Sequence, residues 1–266
     1  MKKFFFALVC ILGLQAVNSQ TVPAPAADTS APVQASPSVQ AVSTVPSAKK
    51  DYRKIDLSNR SNDHFMVQYG FDNWAGTPDS ISPKGFSRFF NAYIMLDKPF
   101  KTNPHLSVGL GAGIGSSNIF FDKTYVDIKS TSSRLPFTNV DSANHFKKFK
   151  LTTIFVEAPV ELRYSSNPEN TNKSVKLALG VKVGTLINAH TKGKNFQTKS
   201  GGTLNNAIIK ESSKKFFNST KFAATARIGY GIFGLYGAYQ ITSLLKTGAG
   251  PEAIRPYSIG IYISGL

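Results

Sequence analysis

Three observations in the sequence together predict an all-β fold, an eight-stranded antiparallel up-and-down barrel that crosses a membrane. The chain divides into eight runs of alternating residues, near 63–74, 86–98, 105–121, 150–165, 173–190, 218–229, 231–245 and 254–265, with no long helical apolar period between them. Connections after the first, third, fifth and seventh runs are long, and those after the second, fourth and sixth are short, which suits a barrel with loops on one rim and turns on the other. Where central stretches of the third, fourth, sixth and eighth runs are compared, one face carries no charge, while the other mixes a few full charges with many glycines.

At the start of the chain, Lys2 and Lys3 precede an apolar stretch from Phe4 to Leu14 and a polar tail ending at Ser19. Residues 1–19 therefore read as a cleaved signal peptide, too short to span a membrane as a helix. Cys10 would leave with it, so the exported chain has no thiol for disulfides, catalysis or zinc. Residues 20–50 are almost wholly Ala, Pro, Ser, Val, Thr and Gln, a composition that cannot bury a core and reads as a disordered periplasmic tether. The barrel domain is expected over 51–266.

The runs justify the barrel one by one. In the third, Leu106, Val108, Leu110, Ala112 and Ile114 oppose Ser107 and the glycines 109, 111, 113 and 115. In the fourth, Val156, Ala158, Val160, Leu162 and Tyr164 oppose Glu157, Pro159, Glu161 and Arg163, and "SSNPENTNK" at 165–173 supplies a short turn. The fifth sets Val175, Leu177, Leu179, Val181 and Val183 against Lys176, Ala178, Gly180, Lys182 and Gly184. Phe222, Ala224, Ala226, Ile228 and Tyr230 oppose Lys221, Arg227 and Gly229 in the sixth, "YGI" turns the chain at 230–232, and Ile259, Ile261 and Ile263 share a face of the eighth. Small residues interspersed with long charged ones fit the bore of a narrow barrel better than a solvated exterior. The aliphatic face should thus meet lipid. A lipocalin-like carrier, with the faces reversed, is the alternative that periodicity alone leaves open. Tyr69, Phe71, Trp74, Phe120, Phe121, Tyr164, Tyr230 and Phe233 lie near run ends, where interfacial aromatic girdles are expected.

Glu157, Glu161, Arg163, Lys176, Lys182, Lys221 and Arg227 should meet in the lumen as a charge network, since buried charges must pair. The whole chain carries a net charge of +16; loss of Lys2 and Lys3 leaves 29 basic against 15 acidic residues, +14. Much of the excess is in two long connections. One holds Lys192, Lys194, Lys199, Lys210, Lys214 and Lys215 against Glu211, the other Lys123, Lys129, Arg134, Lys147 and Lys148 against Asp127 and Asp141. As external loops they would face the lipid and lipopolysaccharide phosphates of an outer membrane; nucleic acid is not an expected partner of an exported chain. His64, His105, His145 and His190 show neither metal spacing nor a triad, so no catalytic residue, metal or cofactor is expected, and a lipid-modifying barrel enzyme is the weaker alternative.

Three segments, "FVEAPVELRYSSNPEN" at 155–170, "KLALGVKVGTLINAHTK" at 176–192 and "YGAYQITSLLKTGAGPEAIRPYSIGIYI" at 236–263, resemble the PorT-like outer-membrane β-barrel family of Gram-negative bacteria of the Bacteroidota type. The resemblance implies an eight-stranded outer-membrane barrel, with some members linked to secretion or gliding machinery. One departure is the end of the chain, Ser264-Gly265-Leu266, where an aromatic is usual. The expectation is a non-enzymatic secretion- or assembly-associated or structural component of the outer membrane, with periplasmic or secretion-machinery proteins as partners. A surface-exposed binding or adhesion barrel is the alternative.

Overall fold

The computed structural model describes Leu57, residues 64–79, Ile81 and residues 83–265. The signal peptide and tether expected over 1–50, and the chain end at Leu266, lie outside the described residues. Among the described residues eleven strands form: β1 (Phe65–Ala75), β2 (Arg88–Pro99), β3 (Leu106–Phe121), β4 (Thr124–Val126), β5 (Phe137–Asn139), β6 (His145–Ser165), β7 (Val175–Gln197), β8 (Thr203–Ser212), β9 (Thr220–Tyr230), β10 (Phe233–Gln240) and β11 (Arg255–Ser264). Eight of them close a ring in the order β1-β2-β3-β6-β7-β9-β10-β11, every pair antiparallel. The ring is sealed where Met66 to Ala75 pairs with Ser264 to Arg255.

Long and short connections alternate as the sequence predicts. Residues 100–105, 166–174 and 231–232 make the short-turn rim, and 76–87, 122–144, 198–219 and 241–254 make the long-loop rim. The tightest turn rests on Gly231, whose φ of 60° is costly for a side chain. Three boundaries differ from expectation. β6 and β7 run on past the barrel, β8 pairs with the extended end of β7, and β4 with β5 makes a small hairpin in the loop after β3. The fifth connection is therefore largely sheet rather than loop. The register of β6 on β7 slips between Ile154 and Phe155, which face Asn188 and Leu186, so Ile187 is an inserted residue. Beyond this bulge the sides of β7 exchange: even-numbered residues, inward up to Leu186, point outward from Asn188 on.

The aliphatic face is the outer one. Leu179 is 68% exposed and Lys182, three residues on, is 3% exposed. That ordering excludes the lipocalin-like arrangement, in which the aliphatic residues would be the buried set. Leu96, Leu110, Ile114, Val156, Leu162, Leu235, Ile259 and Ile261 continue a belt around the wall. Phe71, Tyr164, Tyr230 and Phe233 stand exposed at its edges as girdle residues should, whereas Trp74 and Phe121 do not. Both share the inward parity of their strands, and their rings meet edge-on at 5.6 Å inside the long-loop rim.

That inner end is closed by an apolar plug. Inward residues at the tops of strands, among them Trp74, Ile119, Leu151, Phe155 and Leu186, pack against Ile128, Leu135, Phe216, Phe217, Leu245 and Ile254 from the loops. Each such side chain contributes about 2 kcal/mol by leaving water. Backbone bonds lock the loops to one another, Leu135 N to Ala249 O at 2.8 Å and Asn218 N to Leu244 O at 2.9 Å. Below the plug the bore turns polar.

Candidate functional site

Below the plug, the cross-strand registers lay the inward residues of β3, β6, β7 and β9 out in rows. They read Gly113-Glu157-Gly184-Lys221, then Glu161 between Gly109 and Gly180 with Thr225 beyond, then Ser107-Arg163-Ala178-Arg227. Lys182 sits between Pro159 and Ala223. Every charged side chain thus has small neighbours to lean over. A Cβ added to Gly115 would come within 2.8 Å of the Glu157 carboxylate, and one added to Gly109 within 2.5 Å of Arg163 Nε. The glycines seen in the sequence are the space into which the charged groups fold.

Two clusters result. Around Glu157, Lys182 Nζ lies 3.0 Å from Oε2 and Lys221 Nζ 2.8 Å from Oε1, while the Tyr93 hydroxyl donates a short hydrogen bond to Oε2. Around Glu161, Arg227 reaches across β7 to place Nε 3.1 Å from Oε1 and Nη2 2.5 Å from Oε2, and Arg163 Nε donates to Oε2 at 3.0 Å. Arg163 also approaches Asp97 at 3.5 Å, and the Arg227 guanidinium lies over the Tyr262 ring at 4.5 Å. Six of the seven predicted network residues are therefore brought together. Glu161 pairs with Arg227 as the spacing suggests, while Lys182 goes to Glu157 instead. Lys176, half-buried, faces the same lumen nearer the short-turn rim, lining a cavity of about 20 Å³ with Asp97, Arg163 and Arg227.

Sequence reasoning missed Asp72, Asp97 and Tyr93. Asp72 accepts hydrogen bonds from Ser117 and, at 2.7 Å, from Ser258; Asp97 accepts from Ser107 at 2.7 Å. Their inward parity in β1 and β2 was readable, but each is the one charged residue on the inward face of its strand, which gives no pairing signal. With them, four carboxylates (Asp72, Asp97, Glu157, Glu161) oppose five cations (Arg163, Lys176, Lys182, Lys221, Arg227). A second cavity of the lumen, lined by Asp72, Lys182 and Lys221, also holds only about 20 Å³, room for a water and no more.

The predicted basic loops are placed less uniformly. Lys215 Nζ donates to the carbonyls of Ser130, Thr131 and Ser132 at 2.8–3.1 Å, so it ties two loops together. Lys123 pairs with Asp141 at 2.5 Å; the pairing raises the lysine and lowers the carboxyl from their ordinary ranges. Lys192 and Lys194 belong to β7 and Lys210 to β8, while Lys199 and Lys214 lie in the connections on either side of β8. In the β4–β5 hairpin, burial and then the nearby Glu211 carboxylate push the Tyr125 phenol up to about 12. Tyr125, Phe146, Phe149 and Phe196 line a groove of about 310 Å³ with Lys123 and His145. His145 and His190 each bond through Nδ1 two residues back, to Ala143 O and Asn188 Oδ1, and His105 Nδ1 bonds across to the Ser165 carbonyl at 2.9 Å. Among the described residues no three His, Cys, Asp or Glu side chains converge as metal ligands.

An eight-stranded closed ring with an aliphatic outer belt and an ion-paired lumen is the geometry of a bilayer-spanning barrel. Residues 58–246 match the family described as "Outer membrane protein beta-barrel domain". The chain belongs to that family. No curated protein matches this outer-membrane barrel. Among solved structures, Ail, the attachment invasion locus protein of Yersinia pestis, aligns at 12% identity over 75% of this chain and 94% of its own, with a TM-score of 0.32, a likeness too loose to carry an inference.

Proposed function

We propose that this outer-membrane barrel is a non-enzymatic, non-conducting scaffold that presents its long-loop head at the cell surface for binding. The observation that supports it is the double closure of the lumen, by ion pairs in the middle and an apolar plug at one end, which leaves no solute path and makes the head the working surface. The head is also the part with built structure outside the wall: the β4–β5 hairpin, the β6-β7-β8 extension and the aromatic groove. The segments that resemble PorT-like barrels lie mostly in the wall, in β6, β7, β10 and β11, so the resemblance speaks for the barrel more than for secretion machinery.

With the N-terminus on the periplasmic side, the long loops are external. Cysteines placed at Ser132 and Ser200 then react with an impermeant maleimide on intact cells, and one at Asn167, in the short-turn rim, does not. Partner capture by a chain lacking residues 20–50 completes the test: a surface partner is kept. Reversed labelling, or loss of every partner with the tether, overturns the reading in favour of a periplasmic assembly role.

A further inference from the structure

On the outer wall, just beyond the aliphatic belt, the register sets a row of cations side by side. Phe120 on β3 faces Lys150 on β6, Lys150 faces Lys192 on β7, and Lys192 faces Lys210 on β8. Directly opposed residues share a face with Cβ atoms about 5 Å apart, and like charges so placed repel. No carboxylate among the described residues relieves them. Among the described residues none lies within ion-pair distance of Lys150, Lys192 or Lys210, and the neighbouring Glu211 points to the other side, where the Tyr125 hydroxyl meets it at 3.3 Å. Lys150 is held in place by Asn118 Oδ1 at 2.7 Å and by the Phe120 ring at 5.8 Å. The next row toward the belt holds Arg88, Asn118, Thr152 and His190, and the row after it Phe90, Ser116 and Ile154.

Beside the row, a groove of about 320 Å³ opens between Lys84, Arg88 and Lys148, floored by Phe86 and Phe120. Height identifies the occupant. At about 3.4 Å per residue and a tilt of about 40°, the outward residues from Ile154 to Tyr164 span about 26 Å, one hydrocarbon thickness. Lys150, four residues further, stands about 10 Å above that edge, at the level of lipid headgroups. A soluble partner would have to displace the lipid that covers the belt immediately below.

We infer that this face binds the phosphates of a glycolipid, with Lys150, Lys192 and Lys210 as the charge row and Lys84, Arg88 and Lys148 around the groove. The glycolipid's acyl chains lie along the Phe90–Ile114–Val156 wall, and its phosphates supply the anion that the row lacks. The site goes beyond the proposed surface binding and is independent of the partner captured there; it shares with that reading only the placement of the long-loop rim in the outer leaflet.

The test uses the full chain in phosphatidylcholine vesicles doped with a bisphosphorylated acylated disaccharide, with the same lipid after dephosphorylation, or with inorganic phosphate alone, and reads retained lipid by native mass spectrometry. The wild type retains the phosphorylated lipid. Lys150→Gln/Lys192→Gln/Lys210→Gln lowers that affinity by about tenfold or more, while Lys101→Gln/Lys173→Gln/Lys246→Gln, away from this face, leaves it unchanged. Equal loss in both triple variants, equal retention of the dephosphorylated lipid, or equally tight binding of inorganic phosphate overturns the assignment. Because vesicle insertion fixes no cellular orientation, a failure here is separate from a failure of the labelling experiment.

Discussion

Replacing Glu161 by Gln keeps the shape of the side chain and removes the charge that faces two guanidinium groups. The native carboxylate takes two bonds from Arg227, at 3.1 and 2.5 Å, and one from Arg163, at 3.0 Å. At an effective dielectric of about 20, each unit pair at 3 Å attracts by about 5.5 kcal/mol, most of it offset by the desolvation of both ions. Breaking such a pair by removing one partner costs about 3–5 kcal/mol. The lower end is expected, because Arg163 keeps Asp97 at 3.5 Å and Arg227 keeps the Tyr262 face. Arg227→Gln alone leaves Glu161 with Arg163 and should cost about 2 kcal/mol, and the double variant about 3 rather than 5 kcal/mol, a coupling of about 2 kcal/mol. Urea titration of the barrel in vesicles, approached from the folded and unfolded sides, reads this out through Trp74, the chain's one tryptophan, which sits in the plug away from the mutated pair. A coupling below about 0.5 kcal/mol would mean that water surrounds these groups, and the closed lumen would fall with it.

Two further outcomes follow from the wall and the head. Gly113→Ala drives a Cβ to 2.1 Å from the Ala92 carbonyl oxygen and 2.6 Å from the Tyr93 ring, whereas Gly85→Ala meets nothing within 4 Å. The first should lower stability by about 2 kcal/mol and the second by less than about 0.5 kcal/mol, read by the same titration; equal effects would contradict the packing of the bore. In the exposed Lys123–Asp141 pair the carboxyl is lowered, so its contribution is present above the ordinary aspartate range and is lost as pH falls through the lowered value. Lys123→Gln should return the Asp141 titration upward, seen by carboxyl carbon NMR, and an unchanged midpoint would show that the pair does not form in solution.

The wall was legible because its two environments differ so sharply. Alternation in β3, β6, β7 and β9 named the outward aliphatics and the inward charges, and the glycines announced a crowded interior before any neighbour was known. What escaped notice has physical causes. The plug is assembled from loop residues such as Ile128, Phe217 and Leu245, which have no period because they meet strand ends rather than one another in sequence. β8 is half-exposed or fully exposed on both faces, so burial imposes no alternation on Thr203–Ser212, and it read as loop. Trp74 and Phe121 sit near run ends like girdle residues, but strand parity turns them inward. The lysine row could not be found from spacing at all, since it depends on which residue of β6 stands opposite which of β7.

The single inserted residue at Ile187 also governs how this gene can change length. Strict alternation carried upward from Leu186 would aim Asn188, His190, Lys192 and Lys194 into the apolar plug and turn Ala189 and Thr191 outward. Deleting Ile187 would leave a regular ladder with every later side chain on its present face, whereas inserting one codon between 189 and 190 would turn His190, Lys192 and Lys194 inward and set two ammonium groups toward the apolar plug, although no residue had been substituted. Such an added residue has no compensating slip available, because the lower half of the strand is fixed on both edges by β6 and β9. In relatives, loss of the residue at 187 should accordingly be tolerated, single insertions in 188–192 should be scarce, and length should vary freely in 198–202, beyond the last paired rung of β7.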